Sequence, residues 1–346
     1  MGFLGRFLSS YSESFAAALG LWPLASFMLT LPILAWLYHR DGRIRPLSAA
    51  GAYLAVLYLM GLVCFTLYPL PEGDVGPGIT YGLAPILNPL HFVDDIREDG
   101  IAAVAQLVAN AALFVPFGFI TRRGMRLGMA PTVALGFLAS LAIELAQLTG
   151  LFGVYPYAYR TFETTDLCTN TLGALGGWAL AQFSLRILPA RSEADDTLVT
   201  NRPGFVRRMV AFFVDLALAT AAALVATSAI VAAFCAVALL LRATGIHMAP
   251  LPALTLLAFA ETIALLIVEL AIPWKHGGQT PGGAFVRMTC ETRERTGSRR
   301  VAFYAARTFV VLCATGLPGI EPRLGIVPLA CMLFYLIKRR MPYDLI

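Results

Sequence analysis

Glu144 lies in an otherwise apolar run, Ser140-Leu-Ala-Ile-Glu144-Leu-Ala-Gln147. Helical spacing puts Ser140, Glu144 and Gln147 on one stripe, so a hydroxyl, a carboxyl and an amide share a face. A second run reads Arg160-Thr-Phe-Glu-Thr-Thr-Asp166-Leu-Cys-Thr-Asn170-Thr-Leu-Gly173. The same spacing aligns Asp166, Asn170, Gly173 and Gly177. Asn110 sits midway along a third apolar run. Ionisable groups inside hydrocarbon are costly unless paired or facing a wet cavity, which makes each of them a candidate site residue. Two acids beside a guanidinium can bind a cationic or sugar-like headgroup, shuttle a proton, or serve as general acid and base. The plainer alternative is a Glu144–Arg160 ion pair that only locks two helices.

A second polar set occurs later in the chain. Arg208 and Asp215 are seven residues apart and share a helix face. Glu261 and Glu269 lie in the following apolar run, and Arg307 in the one after that. Between them stands Gly277-Gly-Gln-Thr-Pro-Gly282-Gly283, which lacks the lysine-serine ending of a phosphate loop. The plain reading here is a salt-bridged bundle that anchors or regulates the first set.

These residues need helices in a membrane to hold them. The chain has 346 residues, is 58% apolar and only 14% charged, with a mean hydropathy of +0.73. A soluble chain carries about 25% charged residues. Successive apolar runs of about 18 residues or more mark an all-α, polytopic membrane protein. The expected spans are Leu19–Tyr38, Leu47–Tyr68, Ile101–Ile120, Ala130–Leu148, Asp166–Leu185, Met209–Leu241, Leu251–Ile272, Val301–Leu317 and Leu324–Ile337. That makes about nine transmembrane helices in two bundles, five and then four. Residues 1–18 are expected at the interface, and Pro116 reads as a kink. The run from Met209 exceeds one bilayer crossing, which implies tilt or an extension beyond it. A hydrophilic stretch over 188–202, with Arg191, Glu193, Asp195 and Asp196, reads as a linker between membrane domains 1–187 and 203–346. Within the basic segment 274–300, residues 284–290 are expected to form a short hairpin.

Loop charge sets the orientation. Basic loops 39–46 and 121–126 face the cytoplasm. The loop 69–100, which holds Glu72, Asp74, Asp94, Asp95, Glu98 and Asp99, faces outward, as does the aromatic loop 149–165. The N-terminus is then outside and Lys338, Arg339 and Arg340 are inside. Glu144, Asp166, Asn170 and Arg160 converge near the outer interface, and the second set gathers in the inner half.

The net charge of +5 belongs to these loops and is no nucleic-acid signal. The six cysteines are scattered, and the four histidines (His39, His91, His247, His276) lie far apart. No disulfide framework, metal site or cofactor is indicated. Membrane lipids are the expected surroundings; the oligomeric state is left open.

Taken in order, Asn88-Pro, Asn110-Ala-Ala-Leu-Phe-Val-Pro116-Phe-Gly118, Ser140-x-x-x-Glu144-x-x-Gln147 and Arg160-x-Phe-x-x-x-Asp166-x-x-x-Asn170-x-x-Gly173 resemble the VanZ-like family, over about residues 20–185. The resemblance implies a bacterial envelope protein of the cytoplasmic membrane. It further implies action near lipid-linked wall precursors or on glycopeptide access to them, in the manner of teicoplanin resistance. Gly204-Phe-x-x-Arg208-x-x-Ala-x-x-x-Asp215, with Glu269, Gly-Gln-Thr-Pro-Gly and Arg307, resembles the RDD family over about residues 202–340, although Gly283 stands where that family usually has lysine. That resemblance implies a transport module, with sodium–proton exchange proposed for some members. Three functions therefore stand side by side: ligand handling at the first set, proton-coupled cation transport, and a non-catalytic helper role.

Overall fold

The computed structural model describes residues 3–68, 70, 84–158, 160–187, 198–242, 244, 246–315 and 321–346, with side chains from residue 12 onward. Glu72 and Asp74 of the acidic loop lie outside the described residues. So do Arg191, Glu193, Asp195 and Asp196 of the expected linker.

The described chain is helical, with two isolated bridges and no strand. In order, the helices are α1 (Phe3–Asp41), α2 (Pro46–Leu67), α3 (Phe92–Asp99), α4 (Ile101–Arg123), α5 (Met129–Leu148), the single turn α6 (Gly150–Gly153) and α7 (Thr164–Ile187). There follow α8 (Phe205–Arg242), α9 (Ala253–Leu266), a π turn at Ile267–Ala271, α10 (Ile272–Lys275), α11 (Pro281–Phe285), α12 (Gly297–Thr315) and α13 (Ile326–Lys338). Single 3-10 turns lie at Pro322–Gly325 and Pro342–Leu345. The chain is an all-α polytopic membrane protein.

Among the described residues, six helical stretches are long and apolar enough to cross a membrane: Ser12–Asp41, Pro46–Leu67, Ile101–Arg123, Met129–Leu148, Phe205–Arg242 and Ala253–Lys275. The other three expected spans are helical but fall outside that measure. Asp166, Asn170, Gln182 and a run of glycine and threonine dilute α7. Arg299, Arg300 and Arg307 do the same to α12. At 13 residues, α13 is shorter than the ~20 a crossing needs.

Burial follows membrane logic. Phe27, Leu54 and Leu254 are exposed, whereas Thr132, Ser140, Glu144, Gln147 and Asn170 are buried. Lipid is as apolar as leucine, so helices associate through close packing and polar pairs instead of by hiding leucines.

The chain divides into two compact units, one of Met1–Leu29 with Ala50–Ser192 and one of Thr30–Ala49 with Glu193–Ile346. In the first, α7 packs most extensively on α4 and next on α5. Glycine makes this possible. A Cβ on Gly173 would overlap the Ala111 backbone, one on Gly177 that of Val115, and one on Gly118 that of Ala174. Leu62, Phe114 and Ala174 form the core there, with Tyr58 and Ile143 against them. Pro116 lies inside α4, and the Tyr58 hydroxyl donates to the Leu113 carbonyl one turn before it, at 2.8 Å.

In the second unit, residues 30–49 pack with α8. Ala35, Tyr38, Val210, Ala211, Val286 and Met288 make one core. The Arg207 guanidinium lies 4.6 Å over the Tyr38 ring and donates to the Gly42 carbonyl.

Three local expectations change. The helix at the start of the chain reaches back to Phe3, well before the expected start of the first span at Leu19. Residues 284–290 form no hairpin. Pro281 sits at the first turn of α11 and the Thr280 hydroxyl accepts from Gly283 N, which caps a helix there. The loop 69–100 contains α3, whose Phe92, Val93 and Ile96 give a short segment one apolar edge.

Candidate functional site

The first polar set splits into linked pairs. Asn170 Nδ2 donates to Ser140 Oγ at 2.9 Å. Glu144 Oε2 accepts from the Glu163 backbone N–H at 3.0 Å. Gln147 Nε2 donates to the Thr66 carbonyl at 2.7 Å, which ties α5 to α2. Asn110 Nδ2 donates to Asp166 Oδ1 at 2.7 Å, tying α4 to α7. Glu144 is 3% exposed, so it faces protein and not lipid. Arg160 is exposed. It acts on Glu144 and Asp166 across space, but no ion pair joins it to either carboxylate among the described residues. The alternative of a Glu144–Arg160 lock is therefore not what is found. The carboxylate of Glu144 instead holds the loop that leads into α7, through a backbone N–H.

That loop builds a cavity. Ile86 N donates to Phe162 O at 2.8 Å, and Thr164 N donates to Ile86 O at 3.0 Å. These bonds draw the end of the acidic loop against the start of α7. Asn88 shapes the turn, its Oδ1 accepting from Leu90 N at 3.0 Å. The result is a cavity of about 250 Å³ lined by His91, Asp95, Asp99, Gln106, Glu163 and Asp166, among others. His91 Nε2 lies 3.5 Å from Asp95 Oδ1. Burial pushes the Glu163 carboxyl above its ordinary value, Asp166 and Asp95 add to the rise, and His91 opposes it. Of the residues read from the sequence, only Asp166 lines this cavity. Asn110 and Glu144 hold two lining residues, Asp166 and Glu163, while Ser140, Asn170 and Gln147 join helices without lining the cavity. His91, Asp95, Asp99, Gln106 and Glu163 were missed as site residues. For Asp95 and Asp99 the available signal is the acid density of the segment Asp94–Asp99; His91, Gln106 and Glu163 carry none.

The opposite ends of the same helices are basic. Arg122 Nε donates to Gln182 Oε1 at 2.9 Å, and Arg123 Nη1 donates to Ser184 Oγ at 3.1 Å. The acidic cavity lies at the start of α4 and α7, and the arginines lie at their finish.

The second polar set is also paired. Arg208 does not meet Asp215. Its Nη2 donates to Asp344 Oδ2 at 2.8 Å, both groups being buried. Asp215 accepts from Thr280 Oγ1 at 2.5 Å and from Gly282 N at 2.6 Å. A Cβ on Gly282 would meet the Ala211 carbonyl and the Asp215 carboxyl. The glycine-rich loop thus approaches α8 more closely than a residue with a Cβ could. Glu261 accepts from Thr220 Oγ1 at 2.7 Å. Glu269 pairs with Arg307 through its carboxylate, and Arg307 Nη1 also donates to the Glu269 carbonyl at 2.7 Å. Proline explains that second bond. Pro273 has no N–H to offer the carbonyl four residues earlier, which is that of Glu269. The helix relaxes into a π turn there, and the arginine takes the freed acceptor. Asn170 Oδ1, Glu269 Oε1 and Asp344 Oδ1 are buried without a hydrogen-bond partner.

No group of three or more histidine, cysteine, aspartate or glutamate side chains suited to a metal occurs among the described residues. No curated protein and no solved structure matches the chain. No family model supports the RDD resemblance of residues 202–340. The VanZ/LLP1 family model matches residues 55–186, a stretch that holds α4, α5, α7, the acidic cavity and its supporting pairs. Over that stretch the chain is similar to the VanZ/LLP1 family.

Proposed function

We propose that this is a bacterial envelope protein whose acidic cavity binds the polar end of an amphiphilic ligand, either a lipid-linked wall precursor or a glycopeptide antibiotic, at the outer face of the cytoplasmic membrane. The observation that carries this reading is the cavity of about 250 Å³ with Asp95, Asp99, Glu163 and Asp166 in its wall. Carboxylates gathered in a partly dry recess favour an ammonium or a cluster of hydroxyl and amide donors. The recess is somewhat smaller than a site for a whole drug-sized molecule, ~300–1,000 Å³. It suits one headgroup with the remaining bulk outside. Arg122 and Arg123 at the far ends of the helices favour an outward position for the cavity by the distribution of basic residues.

The test is glycopeptide susceptibility in cells with and without the gene. Asp166→Asn and Glu163→Gln keep shape and remove charge. Both are expected to abolish protection while membrane insertion stays normal. Full protection by both variants would remove the cavity from the mechanism.

One observation favours a second reading, a proton-coupled cation transporter of the RDD type. Glu269 has one oxygen on Arg307 and the other, Oε1, buried without a partner. A spare acceptor in such a place suits a transferable proton. Cation flux that remains at background in proteoliposomes would dispose of this reading.

A further inference from the structure

The second unit contains a cavity of another kind. It measures about 210 Å³ and lies between α8, α12 and α13. Its walls are aliphatic, aromatic and thioether groups, among them Met209, Phe212, Val311, Leu329 and Met332. A dry apolar void of about 150 Å³ already accepts a benzene-sized body. Methionines let such walls adapt to a flexible guest.

The charged side chains in the wall offer a guest nothing. Arg208 is held by Asp344 and the Pro203 carbonyl. Arg307 is held by the carboxylate and carbonyl of Glu269. Asp215 is held by Thr280 and Gly282. A charged headgroup would have to break one of these buried pairs, at a cost above what it regains. The occupant is therefore apolar. The mouth says which apolar group it is. Ala314, Leu329 and Met332 line the cavity and are also exposed, with Leu329 60% and Met332 43% accessible. They continue the outward apolar surface of α13, where Leu333 and Ile337 are exposed too. In a membrane that surface meets acyl chains.

The inner end is closed by residues 341–345. Arg339 adopts a left-handed conformation, with φ of 55°, and turns the chain back after α13. Met341 and Tyr343 then line the cavity. Asp344 fastens the segment through Arg208, and its carbonyl accepts from Arg295 Nη2 at 3.1 Å.

We propose that this cavity is a binding site for one acyl chain of a membrane lipid, entered between α12 and α13 and closed at its far end by residues 341–345. The site is independent of the acidic cavity and of the function proposed for it.

The test uses the full chain in liposomes doped with a phospholipid bearing a diazirine along one acyl chain. After illumination, labelled residues are located by mass spectrometry. Label is expected to concentrate on Val311, Met209 and Phe212 in the walls. Ala314→Trp, which fills the mouth, is expected to cut that label about five-fold, the scale on which overfilling an apolar site acts. Label on Leu254 and Phe259, which are exposed on α9, is expected to stay unchanged. Ala314→Leu gives the same comparison with less bulk if the tryptophan variant does not insert. Wall residues labelled no more than would follow from their exposure, or labelled equally in parent and Ala314 variants, would mean that only ordinary boundary lipid is present.

Discussion

At the scale of single residues, the acidic cavity joins charge to burial, and Glu163 shows the consequence. Its carboxyl is pushed up by burial first and by Asp166 and Asp95 next. A proton and a cation compete for such a group. Lowering the pH through its raised pKa adds the proton and removes the charge. Affinity for an alkylammonium amphiphile is therefore expected to be full at high pH. It should fall at a pH above about 4.3, the midpoint of an ordinary glutamate. Titration calorimetry of the detergent-solubilised chain at several pH values measures this. A midpoint unchanged in Glu163→Gln would assign the titration to another group. The candidate residues read from the sequence were legible because polar side chains at helical spacing in apolar runs stand out: Ser140, Glu144, Gln147, Asp166 and Asn170. Their partners were less so. Thr66 and Glu163 contribute backbone atoms to these bonds, and any residue type supplies those. Asp344 lies far along the chain from Arg208, and nothing in spacing links the two.

At the scale of elements, glycine decides how close α4 and α7 come. Gly173 and Gly177 face the backbones of Ala111 and Val115, and Gly118 faces Ala174. Gly173→Leu must push the helices apart or turn a side chain into backbone, an overpacking cost of about 1–3 kcal/mol. It is expected to lower the melting temperature in detergent and to weaken the Asn110–Asp166 bond, which spans the same two helices. Gly176→Leu is the control, because a Cβ there meets nothing within 4 Å. Equal melting temperatures for the two variants would show that close approach is not needed. The glycine stripe of α7 was readable in the sequence. The α3 helix was not, because a segment of 8 residues with so many acids looks like a solvated loop. Its place depends on the bridge between Ile86 and Glu163, a contact between distant segments. The π turn in Ile267–Ala271 was equally hidden, although Pro273 and Arg307 were each visible alone.

At the scale of the molecule, membrane character was evident from composition, and the helices of most spans lie close to where the apolar runs place them. Orientation makes a direct prediction. Val154 is 74% exposed in the aromatic loop, and Met125 is 53% exposed beside the basic loop. In a chain cleared of its own cysteines, Val154→Cys is expected to react with a membrane-impermeant maleimide added to intact cells. Met125→Cys is expected to react only after lysis. The reverse pattern would put the acidic cavity on the cytoplasmic side and end its proposed role with external ligands. The hydrophilic stretch after α7 was readable in the sequence as a linker. The inclusion of residues 30–49 in the second unit was not, because their apolar faces carry no mark of their partner.

The glycine seam does more than bring two helices together. Backbone against backbone leaves no slack for one rod to slip along the other. Asn110 and Asp166 stay level like graduations on a vernier, and ligand binding at Asp166 would find a wall of fixed height. Sliding of α4 along α7 is therefore not expected to open or close the acidic cavity.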